Sequence, residues 1–233
     1  MLLCGDSLVV ESYIKLLVNK KINLVLTDPP YGVGYVESKK GFSQGTEHKE
    51  IENDQDQTSR QYFDFSCKWL NHTKDYLDDH NSIYIFNSDK MIFALHEAME
   101  KIGLKFSQLL IWVKNNVVVG RLDYLPQHEL IAYGWYGKHH FLRSKAKSVL
   151  FCPKPTKSKL HPTMKPVSLL RKIILNSSKI GGYVFDPFGG SGSTLIACEQ
   201  TKRKCLMIEK DAQYVEIIIK RWEKLSGKQA IEL

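Results

Sequence analysis

Residues 182–194 read GYVFDPFGGSGST, and residues 205–209 read CLMIE. The first stretch is a short apolar run followed by a glycine-rich turn and a helical run, and the second is an apolar run that ends on Glu209. Strand, glycine-rich turn, helix and strand form a nucleoside-binding βαβ unit, because glycine lets a ligand approach the backbone and a carboxylate can hold ribose hydroxyls. These residues predict an α/β fold with a nucleoside site at the turn.

The spacing within this turn argues against two other nucleotide-binding loops. The dinucleotide fingerprint needs a further glycine three residues after Gly192, where Leu195 stands. A nucleoside triphosphate loop needs a lysine directly after its last glycine, where Ser193 stands. Both of these alternatives fail on spacing.

Outside the βαβ unit, apolar runs of strand length alternate with longer amphipathic stretches. This pattern predicts a mainly parallel sheet covered by helices on both faces. The 233 residues suit a single domain over residues 1–233, since two halves would each bury too little apolar surface. The predicted strands are 2–4, 23–27, 82–86, 108–113, 129–133, 183–185 and 205–208, and the predicted helices are 62–77, 90–102, 167–177, 194–199 and 212–225.

The composition argues against several protein classes. No apolar run approaches the roughly 20 residues that cross a bilayer, and residues 1–6 lack the features of a secretory signal, so we expect a cytoplasmic protein. The five cysteines are scattered, with no histidine at zinc-ligand spacing, so we expect neither disulfides nor a metal site. A net charge of +8 suits nucleic acid as a partner and equally suits a solvated basic surface.

A second motif lies at residues 23–31, which read NLVLTDPPY. Pro29 and Pro30 hold the backbone after Asp28 extended at the carboxyl end of a predicted strand, where open α/β sheets place their ligands. The Asp28 carboxylate and the Pro29 carbonyl are then two acceptors for one exocyclic amino group, and Tyr31 offers a flat face to a base. The alternative is a turn with a strand-terminating aspartate and a core tyrosine.

Two weaker motifs have open alternatives. Asp6 follows the first predicted strand and suits either a routine turn or a hydrogen bond from the adenine amino group of a cofactor. Residues 161–166 read HPTMKP before a predicted helix and suit either helix capping or binding of a cofactor carboxylate.

Two polar segments do not fit the sheet. Residues 36–60 are almost free of large apolar side chains and predict a mobile loop, either a lid over the Asp28 motif or a surface insertion. Residues 138–159 carry seven lysines and arginines and no acidic residue, which suits contact with a phosphate backbone or a solvated basic loop.

These motifs resemble those of the amino-methylating DNA methyltransferases of the circularly permuted β class, the DPPY type that includes small modification methylases of phages and prophages. Residues 28–31 resemble the catalytic tetrad and precede the cofactor loop at 186–194, the order that defines the class. Residues 111–115, 124–129 and 161–166 resemble further family segments, so the likeness covers nearly the whole chain.

The resemblance implies a Rossmann-like methyltransferase fold with a seven-stranded sheet, one strand of which is reversed, and S-adenosylmethionine as the cofactor. It implies that the catalytic residues are Asp28, Pro29, Pro30 and Tyr31, and that the cofactor-binding residues are Asp6, Asp28, Thr163, Lys165, Asp186, Phe188, Gly190, Gly192, Ser193, Thr194 and Glu209. The residues that we expect to contact DNA are Tyr31, Tyr35, Lys138, His139, His140, Arg143, Lys145 and Lys147.

An aspartate at the first position of the tetrad is the usual adenine form in the family, so the resemblance implies methylation of the adenine N6 of an extruded base. Direct transfer needs no enzyme nucleophile. The alternatives are the cytosine N4, an RNA or protein substrate, and a catalytically silent DNA-binding relic. Because the target-reading stretch at 138–159 is short, recognition is minimal, shared with residues 36–60, or completed by the second subunit of a homodimer.

Overall fold

The computed structural model describes residues 1–31, 57–117, 123–143, 145–153 and 164–232, which form nine strands and six helices. The strands are β1 (Leu2–Cys4), β2 (Ile22–Thr27), β3 (Leu77–Asn87), β4 (Lys105–Val113), β5 (His128–Trp135), β6 (Lys138–His139), β7 (Val149–Phe151), β8 (Tyr183–Asp186) and β9 (Lys204–Glu209). The helices are α1 (Val10–Leu17), α2 (Ser59–Lys74), α3 (Ile92–Lys101), α4 (Val167–Ser177), α5 (Ser193–Thr201) and α6 (Ala212–Ser226).

The strands form one mixed sheet in the order β1-β9-β8-β2-β3-β5-β4-β7, and β6 pairs with the beginning of β3. Neighbouring strands are parallel except at β5, which runs antiparallel to both β3 and β4. The other strands therefore end, and β5 begins, at the same edge of the sheet. We call this the carboxyl edge and the opposite one the amino edge.

Helices cover both faces of the sheet, because successive side chains of a strand point to opposite faces. In β2, Val25 packs in a cluster with residues of α1, α2 and α3, whereas Leu24 and Leu26 pack in a second cluster with residues of α4, α5 and α6. A strand that buries residues on both faces is a near-continuous apolar run, as in parallel sheets. The predicted α/β fold with a mainly parallel sheet and one reversed strand is confirmed.

The predicted number of seven strands is wrong. The two further strands, β6 and β7, lie within the basic segment 138–159 that was expected to be a loop. They have two and three residues, too short to show the alternation that identifies a strand in sequence. Their pairing with β3 and β4 holds this segment against the sheet.

The predicted loop at 36–60 ends earlier than expected. Thr58 and Gln61 form a capping box, in which the Thr58 side chain accepts from the Gln61 backbone and the Gln61 side chain accepts from the Thr58 backbone. Helix α2 therefore begins at Ser59, so the assignment of residues 59 and 60 to a loop is wrong. Residues 36–56, and with them the predicted lid or insertion, lie outside the described residues.

Helix α1 was not predicted, although its buried residues Tyr13, Leu16 and Leu17 follow helical spacing. Its first turn has no side-chain cap, since Val9 stands at the N-cap position. Within the described parts of the chain, none of the helices is both long and apolar enough to cross a membrane.

Candidate active site

Three neighbouring strands bring the two main motifs together at the carboxyl edge. Asp28 follows β2, Asp186 ends β8 and Glu209 ends β9, and these strands are adjacent and parallel. The Thr27 hydroxyl donates a hydrogen bond of 2.7 Å to Asp186 Oδ1. The motif at residues 23–31 and the glycine-rich turn are therefore in direct contact.

The carboxylate of Asp28 has a partner on each oxygen. The Tyr31 hydroxyl donates to Asp28 Oδ1 at 2.6 Å, and the Lys165 ammonium donates to Asp28 Oδ2. Lys165 Nζ also lies 3.1 Å from Glu129 Oε2 and 3.3 Å from the Tyr31 hydroxyl oxygen. Lys165 is the fifth residue of the HPTMKP stretch and so joins that stretch to Asp28.

A second lysine completes this cluster. Glu129 stands at the carboxyl edge because β5 is reversed, and Lys114 directly follows the end of β4 beside it. Lys114 Nζ lies 2.8 Å from Glu129 Oε1, and its side chain is only 5% exposed. We call Asp28, Tyr31, Lys114, Glu129 and Lys165 the acid–lysine cluster. Its two carboxylates and two ammonium groups balance in charge.

The pKa values in the cluster follow from burial and these charges. Burial disfavours the Glu129 carboxylate, but Lys165 and Lys114 outweigh it and lower the pKa to about 2. Burial also works against the Lys165 ammonium, but the carboxylates of Asp28 and Glu129 outweigh it and raise the pKa. Glu129 and Lys165 are therefore charged at neutral pH.

Asp28 and Tyr31 are shifted in the direction of their neutral forms. Burial raises the pKa of Asp28, and the charge of Lys165 opposes this rise. Burial and the adjacent Asp28 carboxylate raise the pKa of Tyr31, so its hydroxyl stays protonated and donates to Asp28.

The glycine-rich turn is built for close approach. A Cβ atom at Gly189 would lie 2.8 Å from the Met207 Sδ atom. Gly192 has a φ of +78°, and a Cβ atom there would lie 2.9 Å from the Ile218 side chain. Larger residues at these positions would strain the backbone or displace their neighbours.

Carboxylates surround this turn. Glu209 accepts hydrogen bonds from the backbone N–H groups of Gly190 at 2.6 Å and Asp211 at 2.9 Å. Asp6, after β1, accepts from the Leu8 N–H at 2.8 Å and lies 3.1 Å from Lys210 Nζ. Since β1 pairs with β9, the predicted residues Asp6, Gly190 and Glu209 share one end of the sheet.

Asp186 lies deepest in this region. It accepts from the Thr27 hydroxyl and, at 3.2 Å, from the Phe188 N–H, and the Thr194 hydroxyl also bonds to it. Burial nevertheless raises its pKa to about 7. The ring of Phe188 packs 5.5 Å from the ring of Trp69 in α2, which anchors the turn to the core.

The residues at the turn fit S-adenosylmethionine, the cofactor implied by the sequence. The Ser193 hydroxyl is buried and has no hydrogen-bond partner among the described residues. Helix α5 begins there without a side-chain cap, and the first N–H groups of a helix favour a bound carboxylate. Asp6 and Glu209 carry acceptor oxygens of the kind that ribose hydroxyls and an adenine amino group would need.

Several predicted site residues are not brought to this edge or are not described. Tyr35 and Thr163 lie outside the described residues. Lys165, which was predicted to bind the methionine end of the cofactor, instead contacts Asp28, Tyr31 and Glu129. Its cofactor role stays a prediction.

The predicted DNA-contacting residues divide into two groups. Lys138 and His139 pair with the start of β3, and the His140 N–H donates to the Asn81 carbonyl, so these residues lie at the amino edge. Strand rise places them roughly 15–20 Å from Asp28 along the sheet. Arg143, Lys145 and Lys147 are exposed in the connection between β6 and β7, which returns toward the carboxyl edge.

Glu129 and Lys114 were not predicted as site residues. Each was visible in the sequence as a charged residue at one end of a predicted apolar strand. The two charges meet at one edge because β5 runs antiparallel to its neighbours. One reversed strand was predicted, but the sequence did not identify which strand it is.

The N6_N4_Mtase family model of DNA methylases matches residues 22–220. The type II methyltransferase M.HpaI of Haemophilus parainfluenzae is 27% identical over 259 residues, covering 99% of this chain and 77% of that protein. The type II methyltransferase M2.DpnII of Streptococcus pneumoniae is 25% identical over 223 residues, covering 88% and 83%.

Solved structures are similar over almost the whole chain. The complex of M1.HpyAVI with S-adenosylmethionine has a TM-score of 0.70 and 25% identity, covering 95% of this chain and 98% of that one. The cytosine-N4-specific PvuII DNA methyltransferase has a TM-score of 0.73 at 17% identity, covering 97% and 89%. The second likeness extends to the fold alone.

Proposed function

Since the chain belongs to the N6_N4_Mtase family of DNA methylases, we propose that it methylates the exocyclic N6 of an adenine extruded from DNA. It is an S-adenosylmethionine-dependent DNA methyltransferase. The observation that supports the reaction best is the hydrogen bond between Thr27 and Asp186, which joins the Asp28 motif to the cofactor turn. Because its relatives are type II methyltransferases, we propose that it modifies a defined DNA site.

The order of motifs supports a finer classification. The tetrad at residues 28–31 precedes the turn at 186–194, the order of the circularly permuted β class with a DPPY tetrad. We propose membership of that class and a single catalytic domain over residues 1–233. A homodimer remains our proposal from the short target-reading segment, and light scattering of the purified protein tests it.

The proposed cofactor site uses the residues around the glycine-rich turn. S-adenosylmethionine, when bound, supplies an electrophilic methyl group on its sulfonium. The residues that would hold it are Asp6, Asp186, Phe188, Gly190, Gly192, Ser193, Thr194 and Glu209. The glycines admit the ligand to the backbone, the carboxylates accept from its hydroxyl and amino groups, and the start of α5 takes its carboxylate.

The proposed catalytic residues position the amino nitrogen. The Asp28 carboxylate and the Pro29 carbonyl accept its two hydrogens, which directs the nitrogen lone pair away from them. Tyr31 supports the base by stacking. The new bond to nitrogen leaves it with a surplus proton, and Asp28, whose pKa is raised by burial, is the adjacent base that can take it.

One experiment tests the enzyme class and the base together. The purified protein is incubated with unmethylated plasmid DNA and isotope-labelled S-adenosylmethionine, and the digested nucleosides are identified by mass spectrometry. Label in N6-methyladenosine supports the proposal. Label in N4-methylcytosine would mean that the target base is cytosine and not adenine. An absence of labelled nucleosides alongside measurable cofactor binding contradicts DNA methylation by this chain alone.

A further inference from the structure

Lys165 occupies an acceptor that the target amino group needs. Both oxygens of Asp28 are taken, one by the Tyr31 hydroxyl and one by the Lys165 ammonium. A carboxylate oxygen can accept two hydrogen bonds, but the Lys165 ammonium is a charged donor in close contact, so an amino group that donates to the same oxygen competes with it. This inference rests on the proposed function, since it concerns how the base enters the same site.

Lys165 cannot move into solvent without a large cost. Its side chain is 7% exposed, and its ammonium contacts the oxygens of Asp28, Glu129 and Tyr31. An ammonium has three N–H donors, and each of these has an oxygen within reach. A buried ammonium that loses its carboxylate without gaining another is strongly destabilised.

Glu129 is the carboxylate that can replace Asp28 as the partner of the Lys165 ammonium. Its Oε2 atom is already 3.1 Å from Lys165 Nζ, so only a small side-chain movement is needed to give Glu129 the main share of the bond. Its other oxygen is held at 2.8 Å by Lys114, which fixes the carboxylate in place while Lys165 shifts.

We propose that Glu129 is a positioning residue that takes over the Lys165 ammonium when the target amino group engages Asp28. The ammonium then stays paired with a carboxylate throughout, and one oxygen of Asp28 becomes free. Glu129 acts through Lys165 and does not itself touch the base.

The substitution Glu129→Gln tests the proposal because glutamine keeps the size and one acceptor oxygen but removes the charge. The difference between a charged and a neutral acceptor is a factor of about 10 or more in rate. The rate of methyl transfer is measured in a single turnover, with enzyme in excess over plasmid DNA and labelled S-adenosylmethionine at saturation. We expect a loss of about 10-fold with an unchanged dissociation constant for the cofactor.

The same substitution in a Lys165→Met background separates positioning from a structural role. Because Lys165→Met removes the ammonium that Glu129 would take over, Glu129→Gln should change the rate in this background by less than about two-fold. Equal losses in both backgrounds, or an unchanged rate for Glu129→Gln alone, overturn the proposal. The second outcome would mean that the base engages Asp28 without a transfer of the Lys165 ammonium to Glu129.

Glu129→Asp provides a test that does not need the Lys165 variant to fold. It keeps the charge but shortens the side chain, so its rate should lie clearly above that of Glu129→Gln, and a rate no better than that of Glu129→Gln contradicts the proposal. Glu216→Gln, an exposed carboxylate on α6, is the matched control and should behave as the wild type. If the wild-type protein does not methylate DNA, the proposed function fails. If the wild-type protein methylates DNA but the Glu129 variants do not behave as expected, only the role of Glu129 fails.

Discussion

The hydroxyl of Thr27 and the carboxylate of Asp186 are 2.7 Å apart, although 159 positions separate them in the chain. The bond crosses from β2 to β8 at the point where both strands end. It fixes the distance between the residues proposed to hold the amino group and those proposed to hold the cofactor. Its removal should therefore affect cofactor binding as well as stability.

Thr27→Val keeps the side-chain shape and removes the donor to Asp186. We expect the dissociation constant for S-adenosylmethionine to rise about five-fold or more and the free energy of unfolding to fall by about 1 kcal/mol. Calorimetric titration and urea unfolding measure the two effects. Thr73→Val is the matched control, because Thr73 is also buried but bonds to Trp69 within α2. Equal cofactor affinity in all three proteins would contradict a link between the two sites.

Asp28→Ala removes the main acceptor for the target amino group. We expect turnover to fall by about 100-fold or more, since positioning groups of this kind contribute that much to catalysis. Turnover on plasmid DNA is measured together with cofactor binding, and Asp89→Ala in an exposed turn is the control. Near wild-type turnover of the Asp28 variant with cofactor bound would mean that the proposed mechanism is wrong.

Asp186→Asn should make the protein more stable at pH 8 than the wild type. The folded-state pKa of about 7 is above the ordinary value of 3.8, so ionisation of this buried carboxyl destabilises the folded state. The destabilisation is absent below about pH 4, grows between pH 4 and 7, and is constant above. Urea unfolding at pH 5 and pH 8 measures it, and a difference from wild type that shrinks at higher pH contradicts it. Asp64→Asn on the exposed side of α2 is the control.

Gly192→Ala and Gly181→Ala separate backbone strain from crowding. Both glycines have a φ near +78°, but an added Cβ meets Ile218 at 2.9 Å in the first and open space in the second. Gly181→Ala should cost about 1–2 kcal/mol of unfolding free energy. Gly192→Ala should cost about 1–3 kcal/mol more and should weaken S-adenosylmethionine binding, whereas Gly181→Ala should not. Equal unfolding curves for the two variants would mean that crowding by Ile218 is negligible.

The basic residues at the two edges should contribute unequally to DNA binding. Lys145→Ala with Lys147→Ala removes two charges near the strand pair that reaches the carboxyl edge, whereas Lys138→Ala removes one at the amino edge. If the first two contact phosphates, the slope of log affinity against log salt should fall by about 2. Fluorescence anisotropy with labelled duplex DNA measures it, and a larger change for Lys138→Ala would place the duplex at the amino edge.

The elements that depend on local pattern were predicted well. Helix α4 has the predicted bounds of 167 and 177, because its apolar spacing is regular and Pro166 stands directly before it. The strand before Asp28 and the turn at 186–194 were also predicted, since proline and glycine restrict or free the backbone locally.

The features that depend on distant partners were not predicted. Strands β6 and β7 pair with β3 and β4, and with two and three residues they are too short to be identified from their own sequence. The contact of Lys165 with Asp28 spans 137 positions, so its sequence neighbours suggested a cofactor role instead. Buried charges such as Lys114 and Glu129 are stable only as a pair, which single-residue hydropathy cannot show.

The interleaved strand order also sets when the enzyme becomes active during synthesis. Strand β1 pairs with β9, and β2 lies between β3 and β8. Strands β1 and β2 therefore cannot complete their pairing until β8 and β9 have been synthesised. At about 5–20 residues per second, roughly 10 to 35 seconds separate the emergence of Asp28 from that of Glu209 at the ribosome. Throughout that interval the nascent chain carries apolar strands with an open edge, a known risk for aggregation. Methylation can begin only after translation has passed β9, because neither Glu209 nor the partner strand of β1 exists before then.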